Sequence, residues 1–106
     1  MKTIVLSGPI TNVPDFKARF YTVAVQLRQA GWFVFNPAEL PADMTEHQYM
    51  DICLAYVRSF DAVFMLSGAH QSVGSQVEVG LAIKCGKAVY QWEQFGELIA
   101  DAVGVG

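Results

Sequence analysis

The chain is short of charge. Only 16% of its 106 residues are Asp, Glu, Lys or Arg, whereas 53% are hydrophobic; a typical soluble domain carries about 25% charged residues. Such a composition excludes a disordered chain. It also leaves apolar surface that a second copy could cover, so a homo-oligomer is expected. Basic residues are scarce: 7 against 10 acidic ones, for a net charge of −3. With no run of Lys or Arg, a nucleic-acid backbone is not the expected partner. A small anion remains open, because backbone N–H groups at a helix start bind one without a cation. The two cysteines, Cys53 and Cys85, have neither CxxC nor metal-ligand spacing. They read as reduced core thiols of a cytoplasmic protein, and no metal or cofactor is expected. No apolar run approaches the roughly 20 residues of a membrane span. MKTIVLSGPI is too short in apolar residues for a secretion signal and breaks at Gly8-Pro9. The length predicts a single domain over residues 1–106.

The pattern present is an alternation of strands and helices. Residues 2–7, KTIVLS, read as a buried strand ended by Gly8-Pro9. Over 15–30, Phe16, Phe20, Val23, Ala24 and Leu27 recur at helical spacing, with Gly31 just beyond the end. WFVFN, 32–36, is a second strand stopped by Pro37, and 37–45 is a loop with two prolines. Thr45 can cap a helix over 46–58 whose apolar stripe is Met50, Cys53, Leu54 and Val57. DAVFML, 61–66, is a third strand, followed by the loop SGAHQS, 67–72, and a helix over 73–85 closed by Gly86. KAVYQW, 87–92, is a fourth strand, and 93–103 a last helix. Continuous β-α alternation with short connections predicts an α/β fold: a doubly wound, parallel, four-stranded sheet, Rossmann- or flavodoxin-like, with helices on both faces. Right-handed crossovers favour the strand order 2-1-3-4.

In that order the winding reverses between strands 1 and 3, and ligands bind beyond the carboxyl ends of the strands there. The flanking loops are SGPIT, 7–11, and SGAHQS, 67–72. Each opens with Ser-Gly, offering a hydroxyl and a close backbone approach. The start of the third helix, Ser72 to Ser75, aims free N–H groups into the same crevice.

Glu78 poses the central question. Ser75-Gln76-Val77-Glu78 fits the S-x-x-E capping box, in which Glu78 would fold back on its own backbone. Ser72 is an equally good cap, and a helix starting there puts Glu78 nearly two turns in. Its helical face then holds Gly74, Leu81, Ala82 and Cys85, with no Lys or Arg one turn away. A carboxylate buried on such a face is costly unless something there uses it. Gly74 leaves space in front of it for something the size of a sugar.

SGPIT after the first strand, followed by S-x-G-x-x-x-E-x-G-x-A at Ser72, Gly74, Glu78, Gly80 and Ala82, resembles the nucleoside 2-deoxyribosyltransferase superfamily, closest to its deoxynucleoside 5′-monophosphate N-glycosidases. SGPIT…PDF, NPAEL, YM and DAVFML further resemble a group of small phage and bacterial proteins of that superfamily, over about residues 1–90. The resemblance implies that Glu78 attacks C1′ of a deoxyribose and expels the base, and that another base or water resolves the ester. It implies that Ser72 contacts a 5′-phosphate, where nucleoside-preferring members carry aspartate. It implies that Ser7, Gly8, Pro9 and Ile10 line the sugar-phosphate side, and that a neighbouring subunit of a homodimer completes the site. The expected partner is a deoxynucleotide.

The chemistry is consistent with such a site. Breaking a glycosidic bond builds positive charge on the sugar, which a carboxylate stabilises and traps. The leaving base needs a proton, so a second acid is expected. Here the chain departs from the family pattern, since Cys53 stands where the family has an aspartate. That departure favours an alternative, a nucleotide-binding module without turnover. His70, in the crevice loop, and His47 are further acid-base candidates. Phe16, Tyr21 and Trp32 can stack on a base or pack in the core. Asp61, at the amino end of its strand, reads as structural.

Overall fold

β1 (Thr3–Ser7) runs between β2 (Phe33–Phe35) and β3 (Ala62–Met65), and β4 (Ala88–Tyr90) flanks β3. A computed structural model of the chain describes the backbone of residues 2–105 and the side chains of residues 2–100. All three pairings are parallel, and the order is β2-β1-β3-β4, as the β-α alternation predicts. Ile4 lies opposite Val34 on one side and Ala62 on the other, and Phe64 is opposite Leu6 and Tyr90.

Alternation along the central strands divides two cores. Ile4 and Leu6 of β1 with Ala62 and Phe64 of β3 face α1 (Phe16–Gln29), where Phe20, Val23, Ala24 and Leu27 are buried, and Leu98 of α4 (Phe95–Val105). Val5 and Val63 face the opposite way, onto Val57 of α2 (Glu46–Ser59) and Ala82 of α3 (Val73–Lys84). The sheet is therefore doubly wound, and Ser7, two residues after Val5, belongs to the α2/α3 face.

Local signals end the elements where the chain must turn. α1 and α3 close on the same motif. The N–H of Trp32 donates to Leu27 O at 3.0 Å past Gly31 (φ 97°), and that of Lys87 to Ala82 O at 2.9 Å past Gly86 (φ 72°). Glycine takes the left-handed position at little cost. α2 opens with a capping box: Thr45 Oγ1 accepts from the Gln48 N–H at 3.1 Å, and Gln48 Oε1 accepts from the Thr45 N–H at 3.0 Å.

Several bounds differ from expectation. β4 stops at Tyr90 because Gln91 and Gln94 bond reciprocally, the Gln91 N–H donating to Gln94 Oε1 at 2.7 Å. A 3₁₀ turn (Trp92–Gln94) follows, and Trp92 stacks on Phe95 at 5.7 Å instead of continuing the strand. Short 3₁₀ turns also occupy Pro37–Glu39 and Ala69–Gln71, within segments expected as plain loops. Cys85 is exposed at the end of α3 rather than in the core, while Cys53 is fully buried. No helix among the described residues is long and apolar enough to cross a membrane.

Candidate active site

Ser7 is the last residue of β1 and is 1% exposed. Strand alternation delivers its hydroxyl to the α2/α3 face, at the carboxyl end of the sheet. α3 arrives there from the other side. Its N-cap is Ser72, whose Oγ accepts from the Ser75 N–H at 3.3 Å, so the helix starts before Ser75 and Glu78 lies in its second turn. The capping-box alternative is not formed.

Glu78 is 7% exposed, and its Oε1 accepts a hydrogen bond from Ser7 Oγ at 2.6 Å. Neither ion pair among the described residues, Arg19–Asp15 or Arg28–Glu39, reaches it. Burial pushes its carboxyl above the usual range, while hydrogen bonding from Ser7 and then Cys53 pulls it back down. Among the described residues, the donors that stabilise the charge are the neutral Ser7 and Cys53.

Cys53 of α2 lies against this carboxylate. Burial, and then the charge of Glu78, push its thiol up to about 12. It remains an S–H, and it is not among the residues lining the crevice. One turn earlier on α2, Tyr49 does line the crevice. Its hydroxyl is buried with no hydrogen-bond partner among the described residues, and burial followed by its neighbours Cys53 and Glu78 raises its pKa.

Ser7, Tyr49 and Glu78 share a crevice of about 580 Å³. Ser7, Gly8, Ile10 and Thr11 form one side, and Ser72, Gly74, Ser75 and Glu78 another. The remaining wall, from Pro37, Leu40, Pro41, Met44 and Met50 with Phe16, is largely apolar. Among the described residues, Lys17 is the one Lys or Arg on the lining. A Cβ on Gly74 would come within 3.3 Å of Met50 Cε, so the missing side chain holds space open between α3 and α2. Gly8 makes the close approach at the other side, where a Cβ would lie 3.0 Å from Leu66 Cβ and 3.2 Å from Phe20 Cζ.

Of the residues singled out from sequence, Ser7, Gly8, Ile10, Ser72, Gly74 and Glu78 are brought together on this lining. Pro9 is not on it: its ring packs toward Gly68, a residue held at φ 87°. His70 and His47 are exposed and also off the lining. Asp61 sits at the opposite end of the sheet, where its Oδ2 accepts from Thr3 Oγ1 at 2.9 Å. Phe16 lines the crevice and packs edge-on to Phe20 at 6.3 Å. Trp32 packs on Tyr90, and Tyr21 is exposed. Tyr49 carries no role in the sequence reading. The signal was its i, i+4 spacing from Cys53, which puts both on one helical face. Among the described residues no three His, Cys, Asp or Glu side chains converge to hold a metal ion.

A family model described as a domain of unknown function, DUF4406, matches residues 2–91. No curated protein matches the chain. A solved structure of a 2-desoxiribosyltransferase from Leishmania mexicana superposes with a TM-score of 0.70 at 20% identity, covering 86% of this chain and 63% of its own. The chain thus spans less than two thirds of that protein's length. A CMP N-glycosidase from Clostridium botulinum superposes with a TM-score of 0.64 at 23% identity, covering 85% of this chain and 67% of its own. At these identities the likeness is one of fold.

Proposed function

The chain belongs to the DUF4406 family, and on that premise we propose that it cleaves the N-glycosidic bond of a deoxynucleoside 5′-monophosphate with Glu78 as nucleophile. The observation that carries this reading is the Glu78 carboxylate itself. It is buried, held by the Ser7 hydroxyl and paired with no cation among the described residues, yet it lines an open crevice at the reversal point of the sheet. The folds shared with a deoxyribosyltransferase and a CMP N-glycosidase support the same chemistry.

In the proposed reaction a Glu78 oxygen bonds to C1′ as the C1′–N bond breaks. The bonding electron pair leaves with the base. Positive charge develops on the sugar in the transition state, and the adjacent carboxylate stabilises it and then captures C1′ as an ester. Water attacks the ester, gives its hydroxyl to C1′ and its remaining proton to the expelled base, and returns the Glu78 carboxylate; a second base in place of water makes the reaction a transfer. Ser72 and the free N–H groups at the start of α3 take the 5′-phosphate. Ser7, Gly8 and Ile10 border the sugar, Gly74 leaves room for it, and Pro9 acts indirectly through its loop. The apolar wall receives the base. A second copy of the chain would cover the exposed Val73, Val77 and Ile83 of α3.

Release of free base from a panel of nucleoside monophosphates tests the reading. The parent chain releases base and Glu78→Ala does not; activity retained in that variant overturns the assignment. One observation favours a second reading, a binding module without turnover: Cys53, a neutral thiol, stands where the superfamily resemblance implies an acid. Nucleotide binding with no base release over hours would select it.

A further inference from the structure

Two buried side-chain oxygens or nitrogens lack a hydrogen-bond partner among the described residues, Tyr49 Oη and Ser75 Oγ, and both belong to residues lining the Glu78 crevice. Buried polar atoms are paired in the great majority of cases, and an orphan calls for an explanation. Here the common location supplies one: both residues border the space that a ligand would fill.

Their placement separates their roles. Ser75 lies on α3 beside the helix start, on the side assigned above to the sugar and phosphate. Tyr49 lies on α2, next to Met50 and the apolar wall assigned to the base. We infer that the Tyr49 hydroxyl donates a hydrogen bond to the leaving base, at the acceptor beside the glycosidic nitrogen: O2 of a pyrimidine or N3 of a purine. This rests on the proposed N-glycosidase reading and supplies the donor it lacks.

As the C1′–N bond breaks, the electron pair left on nitrogen delocalises onto that neighbouring atom. A fixed donor there stabilises the charge as it forms and needs no reorganisation. Burial and the proximity of Cys53 and Glu78 keep Tyr49 protonated, so it donates a hydrogen bond and retains its proton. The departing base takes its proton from water. Cys53 cannot fill the role, being off the lining. The exposed His47 and His70 are off it as well.

Tyr49→Phe removes the hydroxyl and keeps the ring. Base release is measured with parent, Tyr49→Phe and Glu78→Ala chains on the natural ribo- and deoxyribonucleoside 5′-monophosphates, together with the melting temperature of each chain. Tyr49→Phe is expected to lose on the order of 10²-fold in kcat, the size of one transition-state donor, with KM within about threefold and an unlowered melting temperature. A kcat loss under about tenfold, or a loss carried by KM instead, overturns the inference and leaves the Glu78 assignment standing. So does a Tyr49→Phe chain that melts below the assay temperature, because an unpartnered hydroxyl contributes no bond to lose. A parent chain that releases base from none of these nucleotides overturns both.

Discussion

The hydroxyl of Ser7 and the carboxylate of Glu78, 71 residues apart in the chain, meet at 2.6 Å where β1 ends against α3. The bond ties the end of β1 to the second turn of α3 at the sheet's reversal point. It also fixes one carboxylate oxygen, so the side chain is aimed rather than free to turn. The sheet order decides that these two residues are neighbours, and helix capping at Ser72 decides that Glu78 faces inward.

Ser7→Ala should therefore make Glu78 harder to ionise. The Ser7 bond holds its pKa down against burial, so its loss moves the acid limb of the kcat/KM profile to higher pH. A hydrogen bond to a charged group is worth about 1.5–3 kcal/mol, which predicts about a tenfold or greater loss on the acid side and a smaller one on the alkaline side. A pH–rate profile of both chains checks this; a loss equal at every pH contradicts it.

Glu78→Gln should stabilise the chain at alkaline pH. The folded carboxyl pKa is raised by burial, so the folded state holds its proton more tightly than the unfolded state does. That contribution to stability is fully present below the unfolded carboxyl range and is lost as pH rises through the raised folded value. A neutral amide avoids the loss. The expected gain is about 1 kcal/mol, or about 4–8 °C in melting temperature, at about pH 8. It should shrink toward zero at about pH 4, where the acid is protonated. Melting curves at the two pH values test both sign and trend.

Gly74→Ala should separate folding from binding. In a helix Ala is favoured over Gly by roughly 0.5–1 kcal/mol, and the Cβ meets the flexible end of Met50 at 3.3 Å and Ser72 Oγ at an unstrained 4.0 Å. The melting temperature should hold or rise. The methyl group nevertheless intrudes on the space before Glu78, so calorimetry should show nucleotide affinity down about tenfold or more.

Gly8→Ala should act the other way. Its Cβ would lie 3.0 Å from Leu66 Cβ and 3.2 Å from Phe20 Cζ, inside the packed core. Overpacking of this kind costs about 1–3 kcal/mol. Thermal melting should show a loss of several degrees, with base release falling because the loop beside Ser7 has moved.

The strand order and the two faces were legible because β1 and β3 are continuous apolar runs and the helices keep their spacing. The edge strands were less so. Trp92 reads as strand by its apolar bulk, yet the Gln91–Gln94 pair turns the chain first. Cys85 reads as core by residue type, but it caps α3 at the surface. At the site, Ser7, Ser72, Gly74 and Glu78 stood out because their residue types are unusual beside apolar runs. Pro9 reads with its loop neighbours in SGPIT, although its ring packs toward Gly68. Tyr49 belongs to the YM pair of the resemblance, but a role for its hydroxyl is not legible there. A tyrosine on a helix is unremarkable until a fold shows that its hydroxyl has no partner.

The claim on which the account turns is that Glu78 forms a bond to C1′. The direct measurement is mass spectrometry of the chain quenched in acid during turnover of a deoxynucleoside 5′-monophosphate, with the modified peptide sequenced. The account predicts an added deoxyribose 5-phosphate on Glu78, absent from Glu78→Gln. Base release proceeding with the adduct on another residue, or unchanged in Glu78→Gln, would contradict it.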